Sequence, residues 1–198
     1  RKNKVLHDPE MAELELRAWG KKLVLTDQCE ERSEVGLQSL ARAWERLNSA
    51  KRQEPQLVLA YVEQLLRLGS DAKARDALHA AINRGYESQL IRLYGLLRFA
   101  DPDRQLKLAE GWLKEHTGDA NLLLTLGRLC LRNSLWGKAR DYLESSLQAQ
   151  RNPEACAELA RLLAQLGDTE RSNQLFEESL VLLDIRLLSS PLPVITSA

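Results

Sequence analysis

The sequence predicts an all-α chain of helical hairpins stacked into a solenoid, and three observations carry that expectation. The 198 residues hold 41 Leu against 7 Val, 4 Ile and 5 Thr. Leu, Ala, Arg, Glu and Gln favour helices, and so few β-branched residues disfavour strands. From Pro55 onward, turn residues interrupt the apolar pattern at intervals of one helix length. Short tracts also recur: Lys73-Ala74-Arg75-Asp76-Ala77-Leu78 returns 65 residues later as Lys138-Ala139-Arg140-Asp141-Tyr142-Leu143.

In chain order, Asp8-Pro9-Glu10 is a helix start, with an N-cap, a proline at the first helical position and an acid in the first turn. Met11, Leu14, Ala18 and Leu25 continue its apolar stripe until the polar stretch from Thr26 to Ser33 breaks it. Leu37, Leu40, Ala41, Trp44 and Leu47 mark a second helix. The spacing then predicts helices over 55–68, 71–84, 87–99, 102–116, 119–132, 135–149, 152–166 and 169–184. Gly69-Ser70-Asp71, Gly85, Asp101-Pro102, Thr117-Gly118-Asp119, Asn133-Ser134, Asn152-Pro153 and Gly167-Asp168 supply the caps and breaks. Connections this short force neighbouring helices to run antiparallel. The tail Ser189-Ser190-Pro191-Leu192-Pro193 cannot extend a helix.

The recurrence has a period of 32–33 residues: Leu126-Gly127 returns as Leu159-Ala160, and Leu143 as Phe176. A two-helix unit of that length is close to the 34-residue tetratricopeptide repeat. In such a unit small residues, here Gly127 and Ala139, let two helices approach, while Leu126, Trp136 and Leu143 are expected to fill the gaps between hairpins. The expected organisation is an N-terminal helical pair over 1–54, four tetratricopeptide-like repeats over 55–87, 88–119, 120–152 and 153–184, and an irregular tail over 185–198.

Twenty-eight Lys and Arg balance 28 Asp and Glu, which argues against a dedicated nucleic-acid binder. Cys29, Cys130 and Cys156 lack the spacing of a zinc or redox motif, and Cys130 and Cys156 are expected to fill small core positions. The longest purely apolar run, Leu57 to Val62, is far too short to span a bilayer. The chain opens on Arg1 rather than Met, so it is expected to be a fragment, with room for a membrane anchor in whatever precedes it. His7, His79 and His116 have no partners at metal or triad spacing, and no glycine-rich phosphate loop occurs. His116, at a helix end, is expected to cap carbonyls, and His79 to pack or lie at the surface. Trp19, Trp44, Trp112 and Trp136 are expected to pack between helices. No catalytic, cofactor-binding or metal-binding residues are assigned, and a non-enzymatic function is expected.

The first helix of each repeat carries the more informative pattern. Its inward positions fall at Glu63 and Arg67, then Arg92, then Arg128 and Arg132, then Arg161 and Gln165. A stripe of guanidinium forks along a groove suits carboxylates: a peptide C-terminus, acidic side chains or tetrapyrrole propionates. The same stripe also suits an ordinary solvated face, paired with acids such as Glu63 and Glu158. A superhelix of this kind offers an extended surface for a polypeptide.

Several tracts resemble the repeat region of the HemY family, bacterial inner-membrane tetratricopeptide proteins. They are Leu90-Ile91-Arg92-Leu93-Tyr94-Gly95-Leu96-Leu97, Ala109-Glu110-Gly111-Trp112-Leu113-Lys114, Leu122 to Cys130, and Leu135-Trp136-Gly137-Lys138-Ala139-Arg140. The opening Arg1-Lys2-Asn3-Lys4-Val5-Leu6 and the pair Ala43-Trp44 are similar as well. The resemblance implies a soluble part of a protein anchored in the bacterial inner membrane by N-terminal helices, on either membrane side. It implies an association with protoheme synthesis and partners among tetrapyrrole-pathway enzymes, and it supplies no catalytic residue. An unrelated protoporphyrinogen oxidase shares the family name, but the chain lacks the dinucleotide-binding glycine signature that such an enzyme needs. Three functions follow as expectations: a non-catalytic scaffold linked to heme synthesis, a general envelope adaptor, or a module binding heme or porphyrin directly. No His or Met falls on the groove positions, which disfavours axial ligation.

Overall fold

The structure is a computed structural model that describes residues 34–183. Within them the chain forms α1 (Glu34–Glu45), a 3-10 turn (Lys51–Gln53), α2 (Pro55–Arg67), α3 (Asp71–Ile82), α4 (Ser88–Tyr94), α5 (Pro102–Trp112), α6 (Ala120–Arg132), α7 (Trp136–Ala149), α8 (Pro153–Gln165) and α9 (Thr169–Leu182). There is no strand among the described residues. The helix expected from Pro9, Trp19, His7, Cys29 and the tail after 184 lie outside them.

Helix starts follow local chemistry. Pro occupies the first turn of α2, α5 and α8, where its missing N–H costs nothing. The side chains of Asp101, Asp119, Asn152 and Asp168 accept backbone N–H bonds at the starts of α5, α6, α8 and α9. Asp119 binds more: Tyr86 and Ser88 donate to its carboxylate at 2.7 and 2.8 Å. Burial alone would raise its pKa, but these bonds and two from the backbone hold it below the ordinary value. His116 does not cap carbonyls with its side chain as expected. Its ring stacks on Tyr86 at 3.5 Å, so the turn before α6 is held by a flat aromatic contact. His79 packs at a tilt on Phe99 and Tyr94.

The turns inside three hairpins are the same motif. Gly69, Ser134 and Gly167 have φ of 71°, 58° and 89°, and the next residue donates back across the turn: Ser70 to Leu65, Leu135 to Cys130, Asp168 to Leu163. This left-handed closure reverses the chain so that α3, α7 and α9 return along α2, α6 and α8. Serine-to-carbonyl bonds repeat too. Ser146 Oγ donates to Ala120 O at 2.8 Å and Ser179 Oγ to Pro153 O at 3.1 Å, one period apart.

The second unit departs from the expected pattern. Helices expected over 87–99 and 102–116 end at Tyr94 and Trp112. No left-handed residue follows Tyr94, so the chain unwinds and runs extended to Asp101-Pro102. The freed carbonyls find other donors: Gln105 Nε2 binds Tyr94 O and Leu97 O, and the Arg132 guanidinium binds Leu96 O and Leu97 O. As a result α4 and α5 meet through Tyr94, which Gln105 and Trp112 contact, while each lays its length on α6.

Helix α6 is the hub, buried at Ala120 and at every position from Leu122 to Cys130. Leu126, Leu129 and Cys130 face Tyr94, Leu106 and Ala109 in the central core cluster. Burial pushes the Cys130 thiol up to about 11, so it is a packing residue. Cys156 is buried as well. Two close approaches set the spacing. A Cβ on Gly95 would meet Thr125 Oγ1 at 2.8 Å and Thr125 Cα at 3.1 Å, and one on Gly127 would meet Leu143 Cγ and Cδ2 at 2.7 Å. The tryptophans divide. Trp44 stacks on Tyr61 at 4.1 Å and Trp112 meets Tyr94 edge-on at 5.1 Å. Trp136, expected between hairpins, is instead exposed, as is Phe176. Trp136 is the first residue of α7, still on the turn and outside the helix interface. In α9 the buried residues are Ser172, Leu175 and Ser179, so Leu175 turns inward and its neighbour Phe176 does not.

Two stability measurements follow. Gly127→Leu should destabilise by at least the about 1–3 kcal/mol of ordinary overpacking, because Leu143 has nowhere to retreat. Ser134→Gly removes a non-glycine residue from the left-handed region and should stabilise by about 1 kcal/mol, raising Tm by about 2–4 °C. Thermal unfolding of both variants checks the two signs.

Candidate functional site

The first helices of the hairpins, α2, α4, α6 and α8, present a continuous row of charges. Arg92 on α4 bonds Glu63 of α2 at 3.2 Å and also Glu154 of α8. Arg128 on α6 bonds Glu154 at 2.8 Å and Glu158 at 3.2 Å, and Arg161 reaches Glu158 at 3.2 Å. The row runs Glu63–Arg92–Glu154–Arg128–Glu158–Arg161. Arg92 and Glu154 belong to hairpins two apart, and their contact shows that this face curves inward.

The expected stripe is therefore brought together, but half of it is neutralised. Arg92 and Arg128 are each held by two carboxylates. Arg128 is almost fully buried, so its ion pairs offset the desolvation of a charge enclosed by α6 and its neighbours. The stripe is therefore not a uniform solvated face: removing Arg128 would take one of two cationic partners from both Glu154 and Glu158 and empty a buried position on α6. Arg132 has yet another role, holding the unwound end of α4 through the Leu96 and Leu97 carbonyls. Arg67 is exposed at the last turn of α2, and Gln165 is exposed at the last turn of α8.

Beyond Arg128 the groove opens into a pocket of about 790 Å³. Arg128, Arg132, Arg161 and Gln165 line it, together with Leu96, Arg98, Trp136, Leu166 and Phe176. These last five were not legible as site residues. Leu96, Arg98 and Leu166 sit in turns, Trp136 and Phe176 on second helices, and a helical wheel of the first helices omits them all. Glu154 was also missed, since an acid in the first turn of a helix reads as a partner of the helix dipole. Among the described residues no group of three or more His, Cys, Asp and Glu is placed to hold a metal. No described helix is long and apolar enough to cross a membrane.

No protein-family model matches the sequence, and no curated protein matches it. Solved structures do. The crystal structure of MamA is matched at a TM-score of 0.52 with 13% identity, over 75% of this chain and 90% of that one. A second MamA structure is matched at a TM-score of 0.47 with 13% identity, over 88% and 98%. The first likeness establishes the fold as a tetratricopeptide-like helical repeat.

The charge row makes a stability prediction. Glu154→Ala removes an acceptor shared by two arginines, one of them buried, and should cost about 1–3 kcal/mol. Arg161→Ala, at the exposed end of the row, should change stability by less than about 0.5 kcal/mol. Urea unfolding of the two variants compares them directly.

Proposed function

We infer that the chain is a non-catalytic protein-interaction scaffold whose inward-curving face docks a segment of a partner protein. The observation that carries this reading is the open, mixed apolar and cationic pocket at the end of the charge row. Trp136 and Phe176, which helix packing leaves exposed, both line it. A solenoid of stacked hairpins supports such a surface because each first helix adds side chains to one continuous groove.

The narrower reading is that the partners belong to protoheme synthesis and that the intact protein sits on the bacterial inner membrane. The similarity to the HemY family supports it, through the tracts from Leu90 to Leu97 and from Leu135 to Arg140. Direct heme or porphyrin binding has less support. The arginines suit propionates, but the pocket lining contains no His or Met for the iron.

Photo-crosslinking in cells tests the scaffold reading. A crosslinker at Gln165, within the groove, should give discrete protein adducts, while one at the exposed Asp141 on α7 should give few. Equal or absent adducts at both positions would sink the reading. Tetrapyrrole-pathway enzymes among the Gln165 adducts would support the heme link, and a saturable Soret shift on heme titration would support direct binding.

A further inference from the structure

Resting on the scaffold reading, we propose that the pocket takes an extended acidic peptide segment. Its carboxylate sits among Arg98, Arg132 and Arg161, and the adjacent large apolar side chain lies on Trp136, Leu166 and Phe176.

The charge argument comes first. Four arginines and one glutamate, Glu158, line the pocket. That glutamate is already shared by Arg128 and Arg161. Arg132 spends its donors on the Leu96 and Leu97 carbonyls, which are neutral, and forms no ion pair among the described residues, so Glu158 acts on its charge only at a distance. Arg98 makes no ion pair among the described residues, and it stands near enough to Arg132 for their charges to repel. Burial, with Arg98 and Arg128 adding to it, holds the Arg132 guanidinium below its ordinary pKa. Arg128, which also lines the pocket and is only 7% exposed, has an Nη1 with no hydrogen-bond partner. Glu158 opposes an incoming anion, but the arginines outnumber it four to one and favour one.

The apolar half is equally specific. Leu96, Trp136, Leu166 and Phe176 are 40, 48, 54 and 39% exposed and all line this one pocket. Apolar side chains gathered in a concavity mark a binding site rather than scattered surface. Trp and Arg are also the side chains that most often anchor protein interfaces.

The remainder of the groove sets the size of the anion. On the side of Arg128 away from the pocket the row carries Glu63 and Glu154, already matched to Arg92 and Arg128. A phosphate backbone continuing along the groove would meet those carboxylates, and the chain as a whole is neutral. A short peptide that places one carboxylate in the pocket avoids them. This site therefore differs from the full arginine stripe: Arg92 plays no part in it.

Fluorescence anisotropy on the full chain tests the assignment with three labelled ten-residue peptides, Gly-Ser flanked around Glu-Phe-Glu, Lys-Phe-Lys or Glu-Ala-Glu. The first should bind at least about tenfold tighter than either control, and added salt should weaken it. Trp136→Ala and the double variant Arg98→Glu with Arg161→Glu should each weaken it by about tenfold or more, while Arg92→Gln should leave it unchanged. All these positions are exposed or half-buried, and circular dichroism confirms the helical fold of each variant. Among the four tryptophan indole N–H signals in an NMR spectrum, the one lost in Trp136→Ala should shift on titration. Equal affinity for the lysine peptide, tighter binding of a single-stranded oligonucleotide, or no binding would overturn the assignment. Binding that Arg92→Gln abolishes and Trp136→Ala spares would overturn it too, yet leave the scaffold reading standing. That reading fails only if the groove crosslinks fail.

Discussion

Helix α6 is buried on every side, and most of the molecule follows from that constraint. A helix with neighbours all round must be small where they cross it and apolar elsewhere. Gly127 meets that demand against Leu143. On α4 Gly95 does the same against Thr125, whose hydroxyl also donates to Ile91 O at 2.8 Å. The one large polar side chain caught within the burial is Arg128. An enclosed guanidinium demands carboxylates, and Glu154 and Glu158 of the next hairpin provide them. Packing of the hub thus dictates the charge row, and the row draws α8 and α4 toward each other over α6.

The irregular second unit is the other consequence. With no left-handed residue to close it, α4 stops early and leaves carbonyls exposed to two long donors, Gln105 and Arg132. An Arg engaged with neutral carbonyls keeps its full charge. The unwound segment also places Leu96 and Arg98 at the mouth of the groove. One missing turn residue therefore contributes to both halves of the pocket, Arg98 to the cationic one and Leu96 to the apolar one.

Much of this was legible in advance. The Pro and Asp starts, the glycine turns at Gly69 and Gly167 and the tracts recurring at 65 and 33 residues are local signals, and helices beginning at Pro55, Asp71, Pro102 and Pro153 sit where they pointed. Inward positions on the first helices were legible too, because helical periodicity projects Arg92, Arg128 and Arg161 onto one face. Their partners were harder. Glu158 had been paired with the stripe, but nothing local marks Glu154 as the acid that two arginines from different hairpins share.

By itself the sequence determined which segments become helices, where most of them end, and which stripe of each turns inward, since all of these depend on residues within a turn or two of one another. Tertiary structure alone decided that α4 would be cut short, that Trp136 would face the groove instead of the core, and that Arg128 would be neutralised while Arg98 and Arg132 would not. Those outcomes depend on distances between residues 26 or more positions apart, such as the 3.2 Å from Arg132 to Leu96 O and the 2.8 Å from Arg128 to Glu154. Periodicity places a side chain on a face, but only the packed neighbours fix which charges on that face remain to meet a partner.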